Sequence, residues 1–120
     1  MSDYPESLDH MLAAWNEPES SLVRGHLERA LASGIRFVDP SIDLAGIDDF
    51  EANVHEVQAT LPGAEYSRTS SVDSQHGFHR YHWAIRQDGE IIVPGFDVAE
   101  TDESGRVVLV IGFFGPLPEL

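Results

Sequence analysis

The sequence contains no cysteine, few basic residues and no long apolar run, and each of these absences excludes a class of protein. Without cysteine there is neither a disulfide framework nor a thiolate metal site, which fits a reducing cytoplasm. With 7 basic against 21 acidic residues the formal charge is -14, and such a surface repels nucleic acid and anionic lipid. The longest apolar run, residues 107–117, is too short to cross a bilayer, and the acidic start of the chain lacks the apolar segment of a secretory signal. We therefore expect a soluble, cytoplasmic protein that binds neither nucleic acid nor membrane.

A length of 120 residues with 42% hydrophobic content predicts a single domain, residues 1–120, with a small core. Apolar spacings of three and four predict three helices, near residues 4–16, 18–31 and 46–61, with Ser33-Gly34 closing the second. A short strand over residues 35–39 stops at a proline. Four strand-like segments follow, separated by short turns: 64–75, 78–87, 90–101 and 106–115. This order predicts an α+β fold in which helices cover the concave face of a curved sheet and enclose a ligand pocket.

The two segments within residues 78–99 predict a hairpin around which the pocket is built. The Asp-Gly pair between them is typical of a type I′ turn. If Gln87, just before this pair, lies opposite Glu90, just after it, then Arg80 lies opposite Asp97 and His82 lies opposite Gly95. We therefore predict that these residues share one face of the hairpin, a cavity wall of polar groups among small side chains.

The opposite face of the hairpin, extended by the last strand, is predicted to be apolar. Its predicted area is larger than a soluble monomer normally exposes, so we expect a homodimer joined sheet to sheet through this face. The residues predicted to form the interface are Tyr81, Trp83, Ile85, Phe96, Ile111 and Phe113.

Several short motifs, in this order of elements, resemble the nuclear transport factor 2-like superfamily. They are Phe37-Val38-Asp39-Pro40, the helix start at Gly46, and Gly95-Phe96-Asp97 followed by Ser104-Gly105-Arg106. The resemblance covers nearly the whole chain and is closest to the SnoaL-like branch, small bacterial proteins often labelled polyketide cyclase-like. It implies a cystatin-like cone, with three N-terminal helices on the concave face of a mostly antiparallel sheet, and relatives that form dimers. Isomerases, cyclases, dehydratases, epoxide hydrolases and non-catalytic binding proteins share this fold, so it does not imply one activity.

Ketosteroid isomerase is a more distant relative that this chain resembles in two aspartates. Asp39, before Pro40, stands where that enzyme has its general base, and Asp97 stands where it has a neutral, proton-donating aspartate. Met11 occupies the place of its oxyanion-hole tyrosine. An arginine at position 80, facing Asp97, would hold that carboxylate ionised and lower its pKa. Both departures argue against steroid isomerisation by the familiar mechanism.

Four ionisable residues are therefore the candidate catalytic groups: Asp39, Asp97, His82 and Arg80. One aspartate would remove a proton next to a carbonyl, while the arginine and the histidine stabilise the oxyanion or return the proton. Structural alternatives stay open for each of them. Asp39 is also suited to form a turn, Arg80 and Asp97 to form an ion pair between strands, and His82 to be a partly buried histidine satisfied by a neighbour.

The candidate ligand-binding residues are apolar, and their alternative role is ordinary core packing: Met11, Trp15, Phe50, Val110 and Phe114. No metal is expected, because His79 and His82 fall on opposite faces of their strand and no His-x-His pair occurs. No cofactor is expected either, since phosphate-loop and nucleotide-binding motifs are absent. The sequence thus predicts cofactor-independent acid-base chemistry of an isomerase, cyclase or dehydratase type on a small apolar carbonyl compound. The alternative is a non-catalytic dimeric module that binds a ligand or is purely structural.

Overall fold

The computed structural model describes residues 4–120, which fold into three helices and a seven-stranded mixed sheet. The helices are α1 (Ser7–Asn16), α2 (Ser20–Ala30) and α3 (Ile47–Thr60). The strands are β1 (Leu31–Asp39), β2 (Ile42–Ala45), β3 (Glu65–Arg68), β4 (Asp73–Gln75), β5 (Phe78–Gln87), β6 (Glu90–Thr101) and β7 (Val107–Phe114). The predicted α+β class is confirmed. No helix among these residues is long and apolar enough to span a membrane.

The strand order is β2-β1-β7-β6-β5-β3, and β4 also pairs with β5. Every pairing is antiparallel except that of β1 with β7, which is parallel. The apolar stripes of the three helices pack on one side of this sheet, with Leu8, Leu27 and Phe50 fully buried among the inward residues of the strands. This order places the end of β1, the end of β7 and the middle of β6 side by side.

Three elements differ from the prediction. Helix α2 ends at Ala30 and β1 begins at Leu31, so the predicted helix end at Ser33-Gly34 is wrong. Leu31 pairs with Val107 of β7, and this pairing keeps the chain extended in spite of the glycine. The predicted strand over 64–75 is two short strands, and the four-residue strand β2 was not predicted.

The hairpin between β5 and β6 contains a β-bulge that the sequence analysis did not predict. Next to the turn the strands pair as predicted, but Ile92 is an extra residue on β6. Every pair beyond it is shifted by one position. Residues of β5 that were predicted to share a face with Asp97 therefore lie on the opposite face. Asp97 therefore lies opposite Tyr81, and the prediction that it faces Arg80 is wrong.

The shift also corrects the two predicted faces of the hairpin. Tyr81, Trp83 and Ile85 lie on the concave side against the helices, so their assignment to an outer interface is wrong. Arg80 and His82 lie on the outer side, and their assignment to the cavity wall is wrong. Three residues predicted for the outer face do lie there: Phe96, Ile111 and Phe113.

Candidate functional site

A cavity of about 220 Å³ lies between the helices and the concave side of the sheet. Most of its wall is apolar and comes from α1, α3 and the inward residues of the strands. A few polar side chains interrupt this wall: Asp39, Ser41, Asn53, Tyr66, Arg68 and Asp97. An apolar cavity with a few convergent polar groups is the usual form of a small-molecule site.

Asp97 is the most perturbed acid in the cavity. It opens to the cavity but is otherwise surrounded by protein; its Oδ1 accepts a hydrogen bond from Trp83 Nε1 at 2.8 Å and its Oδ2 accepts one from the Tyr81 hydroxyl at 3.2 Å. Burial raises the pKa of Asp97 to about 7, and the negative charge of Asp39 acts in the same direction. The two hydrogen bonds lower the pKa and offset only part of the effect of burial. At neutral pH this carboxyl group is therefore able both to give and to take a proton.

Two glycines make room for this arrangement. A Cβ atom at Gly95 would lie 2.1 Å from the Trp83 ring, so the indole occupies the space above that residue. A Cβ atom at Gly112 would lie 2.9 Å from Asp97 Oδ1 and 3.4 Å from the Cβ of Asp39. Glycine inside a strand often marks a bend, a bulge or a close approach, and both positions are close approaches.

Asp39 lies across Gly112 from Asp97, where β1 ends. Its Oδ1 accepts hydrogen bonds from the Ser41 main-chain N–H at 2.7 Å, the Ser41 hydroxyl at 2.7 Å and the Ile42 main-chain N–H at 3.1 Å. These bonds form the turn between β1 and β2 and fix the side chain, while no hydrogen bond from residues 4–120 reaches Oδ2. Asp39 is therefore a turn former and, because it also lines the cavity, a carboxylate with one oxygen free for a ligand.

Tyr66 is a cavity residue that the sequence analysis did not single out. Its ring stacks on Trp15 at a centroid distance of 4.8 Å and lies 6.5 Å from the ring of Trp83. The Asn16 side chain binds both the main-chain N–H and the main-chain carbonyl of Tyr66, each at 2.8 Å, which fixes β3 against the end of α1. Burial, with the nearby charges of both aspartates, raises the pKa of the phenol, so it remains a hydrogen-bond donor. Its position could not be derived without knowing that β3 pairs with β5.

The cation that lines the cavity is Arg68, on β3, in place of the predicted Arg80. Its Nη2 donates to the Tyr4 hydroxyl at 3.0 Å and also contacts Asp9. The guanidinium lies 5.9 Å from the centroid of the Tyr81 ring, within the range of a cation–π interaction. A positive charge thus lies beside the aromatic residue that donates to Asp97.

The structure brings together only part of the predicted catalytic set. Asp39 and Asp97 both line the cavity. Arg80 instead forms an exposed ion pair with Asp73, with Nε and Oδ2 2.8 Å apart. His82 is exposed on the outer face, where its ring lies 5.1 Å from that of Phe96.

The predicted ligand-binding residues also divide into two groups. Met11, Trp15 and Phe114 line the cavity. Phe50 and Val110 are fully buried and do not line it; Phe50 packs behind Trp15, with ring centroids 5.7 Å apart. Within residues 4–120 no cluster of three histidine, aspartate or glutamate side chains has the arrangement of a metal site.

Comparison with known proteins identifies the fold. No protein-family model matches the sequence, and no functionally curated protein is significantly similar to it. A SnoaL-like family protein from Agrobacterium tumefaciens, described as a candidate isomerase, is 28% identical with a TM-score of 0.86, over 92% of this chain and 95% of its own. The chain has the nuclear transport factor 2-like fold.

Two further structures with this fold are more distant in sequence. A nuclear transport factor 2-like protein from Exiguobacterium is 18% identical with a TM-score of 0.74, over 92% of this chain and 99% of its own. A candidate SnoaL-like polyketide cyclase from Jannaschia is 14% identical with a TM-score of 0.70, over 95% of this chain and 89% of its own. The predicted resemblance to SnoaL-like members of the nuclear transport factor 2-like superfamily is confirmed, and identities at this level carry the fold alone.

Proposed function

We propose that this protein is a cofactor-independent acid-base enzyme that moves a proton next to the carbonyl group of a small, largely apolar compound. One observation carries the proposal: in an apolar cavity, Asp97 has a pKa raised to about 7 and lies beside a second carboxylate, Asp39. Titratable groups with strongly shifted pKa values inside a cleft are typical of catalytic sites. The Agrobacterium protein described as a candidate isomerase supports the same class of reaction.

In the proposed step the free Oδ2 of Asp39 takes a proton from the carbon next to the carbonyl. The electrons of the broken C–H bond form a C=C bond, and the carbonyl oxygen becomes an enolate oxygen. Protonated Asp97 donates a hydrogen bond to that oxygen, and Tyr66, which also lines the cavity, acts as a second donor through its hydroxyl. Asp39 then returns the proton to another carbon of the substrate, which completes an isomerisation.

The cavity also limits the class of substrate. Its volume of about 220 Å³ lies below the roughly 300–1,000 Å³ of sites for drug-sized ligands. A monocyclic compound fits this space better than a steroid or a tetracyclic polyketide. The chain contains no lysine, so no lysine Schiff base forms with the carbonyl group, and enolisation remains the route by which the aspartates act.

Exchange of the acidic proton into heavy water tests the proposal without a known physiological substrate. A panel of monocyclic β,γ-unsaturated ketones is incubated with the protein, and deuterium incorporation and isomerisation are followed by proton NMR. Asp39→Asn and Asp97→Asn should each slow exchange by about 10²–10⁴-fold, the usual contribution of a positioned acid or base. Arg80→Gln is the matched control and should exchange at the wild-type rate. Exchange that neither aspartate variant slows contradicts the proposal.

The pH profile of exchange assigns the two roles. If Asp97 acts as the protonated donor, activity decreases as the pH rises through about 7, because the proton is lost there. If Asp97 is instead the base, activity increases over the same range and Asp39 takes the other role. A rate that is flat between pH 5 and 9 excludes Asp97 from the step.

A non-catalytic ligand-binding module is the second candidate, and the small cavity favours it. Titration calorimetry with the same ketones separates the two: saturable binding with no deuterium exchange supports the binding module. Loss of that binding in Trp15→Ala, which opens the wall of the cavity, would place the ligand there.

We further propose a homodimer through the outer face of the sheet. Phe113, 55% exposed, pairs with Phe96 across β6 and β7, and Ile111 pairs with Val98 on the same face. Aromatic residues grouped on an open sheet face are typical of an interface. Light scattering at micromolar concentration should give the mass of a dimer for the wild type and of a monomer for Phe113→Asp. A monomeric wild type contradicts the proposal.

A further inference from the structure

A second concavity, of about 460 Å³, lies on the surface between the start of α1, the end of α2 and the turn from β6 to β7. Its wall includes Glu6 just before α1, Ser7 and His10 from α1, Arg29 from α2 and Arg106 after the turn. It shares no residue with the wall of the central cavity and takes no part in the proposed reaction. We refer to it as the arginine groove.

The two arginines of this groove differ from most others in the chain. All 7 basic residues are arginines, against 21 acids, and four of them form ion pairs with carboxylates: Arg24, Arg36, Arg68 and Arg80. Within residues 4–120, neither Arg29 nor Arg106 has a carboxylate oxygen within 4.0 Å of its guanidinium. The wall of the groove carries two arginines against one acidic residue, Glu6, so a small excess of positive charge remains there.

These two side chains contact groups other than carboxylates. Arg29 Nη2 donates to His26 Nδ1 at 3.0 Å, and the Nε2 of that imidazole lies 2.8 Å from a carboxylate oxygen of Glu17. Arg106 Nε reaches the main-chain carbonyl of Glu28 at 3.5 Å. Asp102 accepts the main-chain N–H of Arg106 and does not bind its guanidinium. Each of these exposed guanidinium groups makes one such contact and keeps donors for a ligand.

Ser7 supplies an independent observation. It lies in the first turn of α1, is 5% exposed, and its hydroxyl has no hydrogen-bond partner within residues 4–120. A buried polar group without a partner destabilises a protein unless something satisfies it. The N-terminal end of a ten-residue helix favours an anion at the same place through its dipole, while the main-chain N–H groups of Leu8 and Asp9 already bond to the carbonyls of Pro5 and Glu6.

We propose that the arginine groove binds a small dianion of the phosphate class. Two guanidinium groups, a serine hydroxyl and a helix start are the donors that a phosphate group uses in proteins. The chain as a whole carries a charge of -14, which repels extended polyanions such as nucleic acid and anionic bilayers. A free phosphate or a small phosphate monoester contacts only the groove, so the rest of the acidic surface repels it less than it repels a polyanion.

Titration with inorganic phosphate tests this site directly. Phosphate is added at constant ionic strength, with sodium chloride as balance, and binding is followed by the phosphorus NMR line width and by the rise in thermal midpoint. We expect saturable binding at one site that chloride does not reproduce. Arg29→Gln and Arg106→Gln should each weaken it by about tenfold or more, since one charge-assisted hydrogen bond is lost.

The Ser7→Ala variant distinguishes a binding role from a structural one. Removing a hydroxyl without a partner should raise the thermal midpoint of the free protein, while the additional rise caused by phosphate becomes smaller. A lower midpoint with an unchanged phosphate effect would mean that the hydroxyl supports the fold and contributes nothing to the groove.

Two controls separate this groove from other parts of the molecule. Arg86→Gln removes an exposed arginine near the hairpin turn and should leave phosphate binding unchanged. Asp97→Asn alters the central cavity and should also bind phosphate like the wild type, whatever its activity. Phosphate binding that is unsaturable, or that is equally strong in Arg29→Gln and Arg106→Gln, overturns the proposal.

Discussion

The two faces of the β5–β6 hairpin carry different kinds of residue and differ in their exposure to solvent. On the concave face, Tyr81 and Trp83 are packed against the cavity and donate to Asp97. On the outer face, Arg80 and His82 are exposed, and the arginine pairs with an aspartate that is itself exposed. The ten-residue strand β5 thus supplies the hydrogen-bond donors to Asp97 on one side and a solvated surface on the other.

This difference shows that an ionisable residue acquires unusual chemistry from its surroundings rather than from its type. Asp97 and Asp73 both contact residues of β5. Burial raises the pKa of Asp97, whereas Asp73 is 68% exposed and paired with Arg80. An arginine opposite Asp97 would have held it ionised, and the bulge at Ile92 instead places a tyrosine there.

The largest expected effect comes from filling the space above Gly95 that the Trp83 ring occupies. Gly95→Ala places a methyl group 2.1 Å from the Trp83 ring, so the indole must move away and lose its hydrogen bond to Asp97. We expect a loss of roughly 2–4 kcal/mol in the free energy of unfolding, measured by urea denaturation, because an overpacked site cannot relax without breaking that bond.

Gly34→Ala in β1 is the matched control for this substitution. Among residues 4–120, apart from its own chain neighbours, no atom lies within 4 Å of a Cβ built at Gly34, and its backbone does not require glycine. We expect a neutral or slightly stabilising change, since alanine reduces the entropy of the unfolded chain. If Gly95→Ala were as mild as Gly34→Ala, the indole would not be fixed against β6 and the account of the site would be wrong.

An effect with a similar upper limit is expected from removing the charge on the concave face. As the pH rises above the ordinary pKa of 3.8, Asp97 ionises in the unfolded chain but keeps its proton in the folded one up to about pH 7. Folding stability therefore falls across this range, by at most roughly 4 kcal/mol, and stays constant above it. Asn retains acceptor and donor atoms for Trp83 and Tyr81, so Asp97→Asn should abolish this fall and be the more stable protein at pH 8.

The difference between wild type and Asp97→Asn in urea denaturation at pH 5 and pH 8 measures this contribution. Asp73→Asn on the outer face is the control, because an exposed ion pair is worth less than about 1 kcal/mol. A variant that is strongly destabilised at both pH values would support a structural role for Asp97 over a functional one.

The sequence was sufficient to predict the features that local pattern controls. The inward placement of Asp97 follows from its alternation with Gly95, and Asp39 is identified by its position before a proline at the end of a strand. The class of fold and the location of the cavity follow from these elements.

The bulge could not be predicted. Because of it, two of the four predicted catalytic residues, Arg80 and His82, lie outside the cavity. Residues 91–93 are Ile-Ile-Val, so no alternation of polar and apolar residues marks the extra position. The choice of face for β5 depends on packing against Tyr66, which itself stacks on Trp15, and both come from other parts of the chain. Tyr66 and Arg68 were missed for the same reason, since only the pairing of β3 with β5 brings them to the cavity.

The smallest effects are expected on the outer face. Arg80→Gln and His82→Gln should change the free energy of unfolding by less than about 0.5 kcal/mol, because both side chains are exposed and the ion pair with Asp73 is solvated. Deuterium exchange into the ketone panel should be unaffected in both variants at equal protein concentration. If either substitution abolished exchange while urea denaturation stayed unchanged, the outer face would carry chemistry and the assignment of the reaction to the concave face would be wrong.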